Sequence, residues 1–197
     1  WIQSPRLPVR LSASKLLRLL AEPEQFADWL LRPMPQLYSA SAQLGTSFHA
    51  KLEEAFLSGL ENPIESWAQE EVELGVNFEN SRFASLVPAF VEQAIEFELG
   101  GLIVVCKIDA VFQTEHGYEV VDWKSGASPR DPADLQQRAL QLALYRIAFS
   151  KWADVPLERI KASFFFAKDG VEVSPDNLWS ESRFIEEISR VRTARRG

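Results

Sequence analysis

The order of patterns along the chain predicts an α/β fold. Apolar residues recur at helical spacing through the first half, a period-two stretch runs from Leu102 to Gln113 with a second strand close behind, and a long helical segment then precedes the apolar run Ile160 to Ala167. A chain of 197 residues is expected to form one domain, or one domain with a helical appendage, and can bury a sizeable core without disulfides.

The elements follow in order. Ser12 or Ser14 can cap a short helix carrying Leu16, Leu17, Leu19 and Leu20. After Glu22-Pro23 a second helical stretch passes through Phe26, Trp29 and Leu30 and ends at Pro33 and Pro35. Leu44, Phe48, Leu52 and Phe56 step by four and predict a helix from about Ala42 to Ser58, with His49 and Glu53 beside the apolar stripe. A fourth helix is expected from Arg82 to Glu96, interrupted or begun near Pro88, and Glu96 to Gly100 can supply a short first strand. Val104, Cys106, Ile108, Ala110 and Phe112 alternate with Lys107, Asp109 and Gln113, the pattern of a strand with one dry face. Gly117 marks the turn into a strand from Tyr118 to Lys124, and the loop Ser125 to Pro129 follows. Asp131 caps a helix with Pro132 in its first turn, reaching about Ala153. Ile160 to Ala167, the turn Lys168-Asp169-Gly170 and the return Val171 to Val173 form a hairpin, and a last helix spans Ser180 to Arg196.

Composition narrows the classes. Hydrophobic residues are 46% and charged residues 25%, which excludes disorder, collagen and coiled coil for the whole chain. No run of about 18 apolar residues exists, so no membrane partner is expected. A single cysteine, Cys106, rules out a disulfide framework and a cysteine-ligated iron–sulfur cluster, and a reducing cytoplasmic setting is the default. The net charge of −7 argues against a surface that embraces nucleic acid everywhere, though not against a local groove. The chain opens at Trp1 and has one methionine, Met34, as a piece of a longer protein would.

The segment VVCKIDAVFQTEHGYEVVDWKSG carries the chemistry. In a hairpin, paired residue numbers add to a constant, and a two-residue turn at Glu115-His116 or His116-Gly117 sets it to 231 or 233. Asp109 then lies opposite Asp122 or Lys124, and alternation puts all three on one face while Val121 and Trp123 join the apolar positions. Two carboxylates so placed repel unless a cation lies between them, and hard oxygen ligands suit Mg²⁺ or Mn²⁺ better than zinc. Such an ion polarises a phosphoryl oxygen and acidifies a bound water, and Lys124 can orient that water or balance charge on the phosphate. A lone D-x-K on a strand is more often a solvated pair of charges, and His49 alone would be a structural histidine.

In combination these motifs point further. Asp109 in CKIDAVF, Asp122 and Lys124 in EVVDWKSG, His49 in LGTSFHAKLEE, and Gln141 with Tyr145 in QLALYR together resemble the motif series of the RecB-like branch of the PD-(D/E)XK nuclease superfamily, over roughly residues 40 to 170. The resemblance implies a restriction-endonuclease-like core, a mixed central sheet flanked by helices, with an N-terminal helical extension. It implies that His49, Asp109, Asp122 and the backbone carbonyl of Trp123 hold Mg²⁺ or Mn²⁺, that Lys124 is the catalytic lysine, and that Gln141 and Tyr145 support the site and touch DNA. The lead segment RLSASKLLRLLAEPEQFADWLLRPMP is similar to the stretch joining motor and nuclease in actinobacterial helicases of the UvrD/Rep type. Residues 1–40 are accordingly expected to be a helical lead or linker from a helicase region and 41–197 the nuclease domain.

The expected activity is metal-dependent cleavage of DNA, as a single strand or a duplex end, by the C-terminal domain of an ATP-dependent helicase–nuclease in repair or recombination, exonucleolytic rather than site-specific. The helicase motor domains of the same polypeptide would supply the phosphate grip that an acidic domain lacks. Arg190 to Arg196, Lys107, Arg130 and Arg138 could still guide a strand. The alternative keeps the fold without cleavage, as a DNA-binding or docking module in which Trp67, Trp123, Trp152 and Trp179 offer stacking surfaces. Cys106 stands where many relatives have glycine, and the cysteines that hold an iron–sulfur cluster in some relatives have no counterpart, so no cluster is expected.

Overall fold

Ser12 ends one element and begins another. It is the last residue of a short strand, β1 (Arg10–Ser12), and its hydroxyl accepts the Lys15 N–H to cap helix α1 (Ala13–Ala21). The computed structural model describes residues 9–26, 39–59 and 67–194, so Trp29, Leu30, Pro33, Pro35, Arg195 and Arg196 lie outside the described residues. Ser39 caps helix α2 (Ala40–Leu57) by accepting the Ala42 N–H at 3.1 Å. Helix α3 (Gln69–Glu79) begins two residues after Trp67, and a 3₁₀ turn follows at Arg82–Ser85.

Strands β2 (Phe90–Leu99), β3 (Leu102–Thr114) and β4 (Gly117–Lys124) form an antiparallel meander. Helix α4 (Pro132–Ala153) then crosses over to β5 (Ile160–Phe166), which runs parallel to β4. The hairpin partner β6 (Val171–Val173) and helix α5 (Glu181–Ala194) complete the chain. The six strands make one mixed sheet in the order β1-β3-β4-β5-β6, with β2 on the other edge of β3.

The expected helix from Arg82 to Glu96 is not formed. Beyond the 3₁₀ turn the chain enters β2, which includes the strand expected at Glu96 to Gly100 but starts at Phe90. Pro88 lacks an N–H for a helix, and Ile95, Phe97 and Leu99 are buried while Glu96 and Glu98 are exposed, a period of two. Gly100 and Gly101, with φ of 58° and 75°, close the β2–β3 hairpin, a conformation that glycine takes without strain. Helix α3 was not anticipated, because Leu74 and Phe78 carry its buried stripe amid acidic residues.

Both faces of the sheet are dry, not one. Val104, Cys106 and Ile108 pack with α1, α4 and α5, whereas Ala110 and Phe112 pack with Val121, Trp123 and the side chains of α2 and α3. Between Ile108 and Ala110 the strand therefore changes which face it presents. Helices thus cover a central mixed sheet on both sides, the architecture expected for a restriction-endonuclease-like core. Leu11, Leu16, Leu19 and Phe26 of the lead segment are part of the first of these cores.

Candidate active site

The site grows from a fork in the sheet. One edge of β3 pairs with β1 at residues 103–105 and with β4 at residues 110–114, and among the described residues no strand partners 106–109 on that edge. The β3–β4 pairs, from Thr114↔Gly117 to Ala110↔Val121, have a constant sum of 231, the first of the two registers anticipated. Beyond Val121, strand β4 stays on β5 through Asp122↔Phe164 and Lys124↔Phe166 but has left β3. Asp109 and Asp122 flank the opening.

Asp109 spans it. One carboxylate oxygen accepts the Trp123 backbone N–H at 2.8 Å, and the other lies 3.4 Å from His49 Nδ1 on α2. A strand residue sends its N–H and C=O to the same edge, so the Trp123 carbonyl faces the fork too, while its indole is buried in the aromatic cluster of Phe78, Phe83 and Phe165. Helix α2 sits close because Gly45 has no side chain, and a Cβ there would come within 3.2 Å of Ser125 Oγ.

A polar chain leads away on the other side. Lys124 Nζ lies 2.7 Å from Asp122 Oδ2 and donates to Gln141 Oε1 at 2.9 Å, and Gln141 Nε2 donates to Tyr145 OH at 2.8 Å. Gln141 and Tyr145 are one turn apart on α4, which presents both to the end of β4. The Asp122–Lys124 contact is ionic, without hydrogen-bond geometry, and leaves Asp122 Oδ2 a buried oxygen with no hydrogen bond.

Electrostatics bear the marks of a site short of positive charge. Burial pushes the Asp122 carboxyl above its ordinary range; Lys124 opposes this, and the neighbouring charge of Asp109 adds to it. For His49 burial disfavours the charged imidazole, but the hydrogen bond and charge of Asp109, with Asp122 and Glu92, prevail and raise its pKa. Cys106, packed in the apolar core, has its thiol pushed up to about 12 by burial and is no ligand or nucleophile.

Whether a divalent cation fits can be judged from the donors. His49, Asp109 and Glu92 each offer one ligand atom within 4.8 Å of the others, and they line a cleft of about 500 Å³ with Gly45, Glu53 and Lys107. Carboxylates with one imidazole, beside the orphaned Asp122 oxygen, suit a hard cation. Of the anticipated residues the structure thus joins His49 to Asp109 and Trp123, and Asp122 to Lys124, Gln141 and Tyr145, around one fork. Glu92 was missed, because the helix expected there gave it no place near Asp109. Of two further acids, Glu53 lines the cleft and Glu98 accepts the Gly101 N–H in the hairpin turn.

The cations considered as DNA guides are mostly engaged within the fold. Lys107 pairs with Glu92, Arg138 with Asp134, Arg190 with Glu187, and Arg192 donates to the carbonyls of Gly100 and Gly101. Trp67 and Trp123 are buried, Trp179 is half-buried and Trp152 is exposed. No helix among the described residues is long and apolar enough to cross a membrane.

Comparison with known proteins agrees with this architecture. A crystal structure of SSO0001 superposes with a TM-score of 0.54 at 14% identity, covering 96% of this chain and 78% of that one. A protein from Eubacterium rectale labelled a candidate exonuclease superposes with a TM-score of 0.59 at 13% identity, covering 95% of this chain and 82% of its own. No curated protein matches. At such identities the likeness is one of fold. The family model of the PD-(D/E)XK nuclease superfamily, however, matches residues 10–194, nearly the whole chain, and the protein belongs to that superfamily.

Proposed function

We propose that this chain is a divalent-metal-dependent deoxyribonuclease that hydrolyses phosphodiester bonds at the fork between β3 and β4. The observation that carries the proposal is the convergence there of His49, Asp109 and the Trp123 peptide on one side and Asp122, Lys124 and Gln141 on the other. His49, Asp109, Asp122 and the Trp123 carbonyl would hold Mg²⁺ or Mn²⁺, which when bound supplies Lewis acidity toward the phosphate and a more acidic water.

The side chains divide the remaining work. Asp109, fixed by the Trp123 N–H and His49, keeps one negative pole of the site in place. Lys124, held by Asp122 and Gln141, places an ammonium where negative charge grows on the phosphate and can orient the attacking water. Gln141, itself bound to Tyr145, fixes the lysine and faces the strand being cut.

Exonucleolytic action is the favoured mode, supported by the motif resemblance and by the label of the Eubacterium rectale neighbour. The similarity of the lead segment to helicase linkers supports a place at the C-terminus of an ATP-dependent helicase, acting in the cytoplasm in repair or recombination. The net charge of −7 fits that setting, because motor domains of the same polypeptide would grip the phosphates.

The test is incubation of the chain with linear single- and double-stranded DNA in Mg²⁺, in Mn²⁺ and in EDTA, beside Lys124→Ala. Cleavage that disappears in EDTA and in the variant is expected. DNA binding that ignores metal and never leads to cleavage would instead establish a non-cleaving module.

A further inference from the structure

Glu92 has a backbone that needs a reason. Two described residues other than glycine have a left-handed φ: Asp154, which ends α4, and Glu92 at 50°, inside β2. Aspartate and asparagine tolerate this region through local hydrogen bonds, whereas glutamate in a strand gains nothing from it. Among the described strands this non-glycine conformation occurs at Glu92, across from Asp109. The β2–β3 ladder pairs Val91 with Ala110 and Gln93 with Ile108 and omits the pair between them. Here too β3 changes the face it presents, since Ile108 and Ala110 belong to opposite cores.

The consequence is positional. A regular strand would carry the side chain at 92 along the sheet face, but the twist brings its carboxylate to the cleft beside His49 and Asp109, with a ligand atom of each within 4.8 Å of the others. Donors around a single hard cation are separated by roughly 3 to 5 Å. The side chain of Glu92 is 11% exposed, and Lys107 pairs with it, so its charge is neutralised before any ion arrives. Strain of this kind persists where the surrounding structure holds it for a purpose.

We propose that Glu92 is a further ligand of the divalent cation, completing a set with His49 and Asp109 that the sequence motifs do not contain. This rests on the metal-centre reading above. The left-handed turn at residue 92 aims the carboxylate, and Lys107 holds it until the ion displaces the pairing.

The experiment is calorimetric titration of the 197-residue chain with Mn²⁺ for wild type, Glu92→Gln, Glu92→Gly and Asp109→Asn, with thermal melts of each in EDTA. Glu92→Gln is expected to weaken Mn²⁺ binding about tenfold or more. Glu92→Gly should weaken it as much while melting in EDTA no lower than wild type, because glycine accepts this φ freely. A purely structural glutamate would give the reverse, a lower melting temperature with affinity kept. Mn²⁺ binding by Glu92→Gln within twofold of wild type, with Asp109→Asn defective, would overturn the role of Glu92 alone. Absence of Mn²⁺ binding by wild type would overturn the metal centre and this ligand together.

Discussion

The Asp109 carboxylate accepts the Trp123 backbone N–H at 2.8 Å across the point where β3 and β4 part. A residue proposed to hold the metal therefore also closes a backbone hydrogen bond that the missing strand pairing leaves open, and the two duties separate by substitution. Asp109→Asn keeps an acceptor oxygen and removes a charge that repels Asp122, so in EDTA its stability should stay within about 1 kcal/mol of wild type. Asp109→Ala strands the N–H and should cost about 1–3 kcal/mol in urea unfolding. Both should lose DNA cleavage by at least about a hundredfold. Equal stability of the two variants would show that the Trp123 bond does not support the fork.

Lys124 donates one hydrogen bond, to Gln141 Oε1, and makes an ionic contact with Asp122 Oδ2, while an ammonium has three donors. Donor capacity therefore remains for water or phosphate. Lys124→Ala should lower kcat by about 10²- to 10⁴-fold while Mn²⁺ still binds, since the lysine is no ligand. Gln141→Ala should cost less, about tenfold, because Asp122 still holds the ammonium, and Tyr145→Phe less again. Single-turnover cleavage beside Mn²⁺ titration checks the order. A Gln141 loss as large as that of Lys124 would mean that the glutamine itself touches the reacting phosphate.

Much of this site could be read before any coordinates, for a physical reason. Asp109, Asp122 and Lys124 lie on a hairpin whose turn fixes the register, so their proximity is a local property of the sequence. Gln141 and Tyr145 share a helix face, and His49 sits beside an apolar stripe. Glu92 was hidden because its place depends on a strand mistaken for a helix and on a backbone twist that no periodicity records. The double face of β3 was hidden likewise, since alternation cannot show a strand changing sides between Ile108 and Ala110.

Gly117 ties the hairpin register to the rest of the sheet. Its φ is 153°, and a Cβ built there would stand 2.0 Å from the Arg159 carbonyl oxygen, part of the backbone entering β5. No flexible atom can yield. Gly117→Ala should therefore lower stability by more than about 2 kcal/mol, with proportional loss of folded protein at 37 °C. Chemical denaturation checks the figure. A near-neutral result would mean that the close approach to Arg159 is not maintained in solution.

An ion pair with a buried carboxylate, outside the proposed active site, gives a pH dependence of definite sign. Glu119 on β4 receives Arg82 Nη1 at 2.9 Å and Nη2 at 2.7 Å, and Ser163 Oγ at 2.6 Å. Burial alone would raise its pKa, but the bonds from Arg82 and Ser163 outweigh burial and hold it below the reference value of 4.5. A carboxyl depressed in the folded state contributes stability that is complete above the unfolded pKa and is lost as pH falls through the folded one. Arg82 is partly exposed and also donates to Glu172 at 2.8 Å, so the loss is smaller than for an isolated buried pair. Glu119→Gln should cost about 1–3 kcal/mol at pH 7, and the gap from wild type should shrink steadily below about pH 4.5. Urea unfolding in EDTA from pH 7 to pH 3 measures it, and a gap that stays constant over that range would show that Glu119 acts by packing rather than by charge.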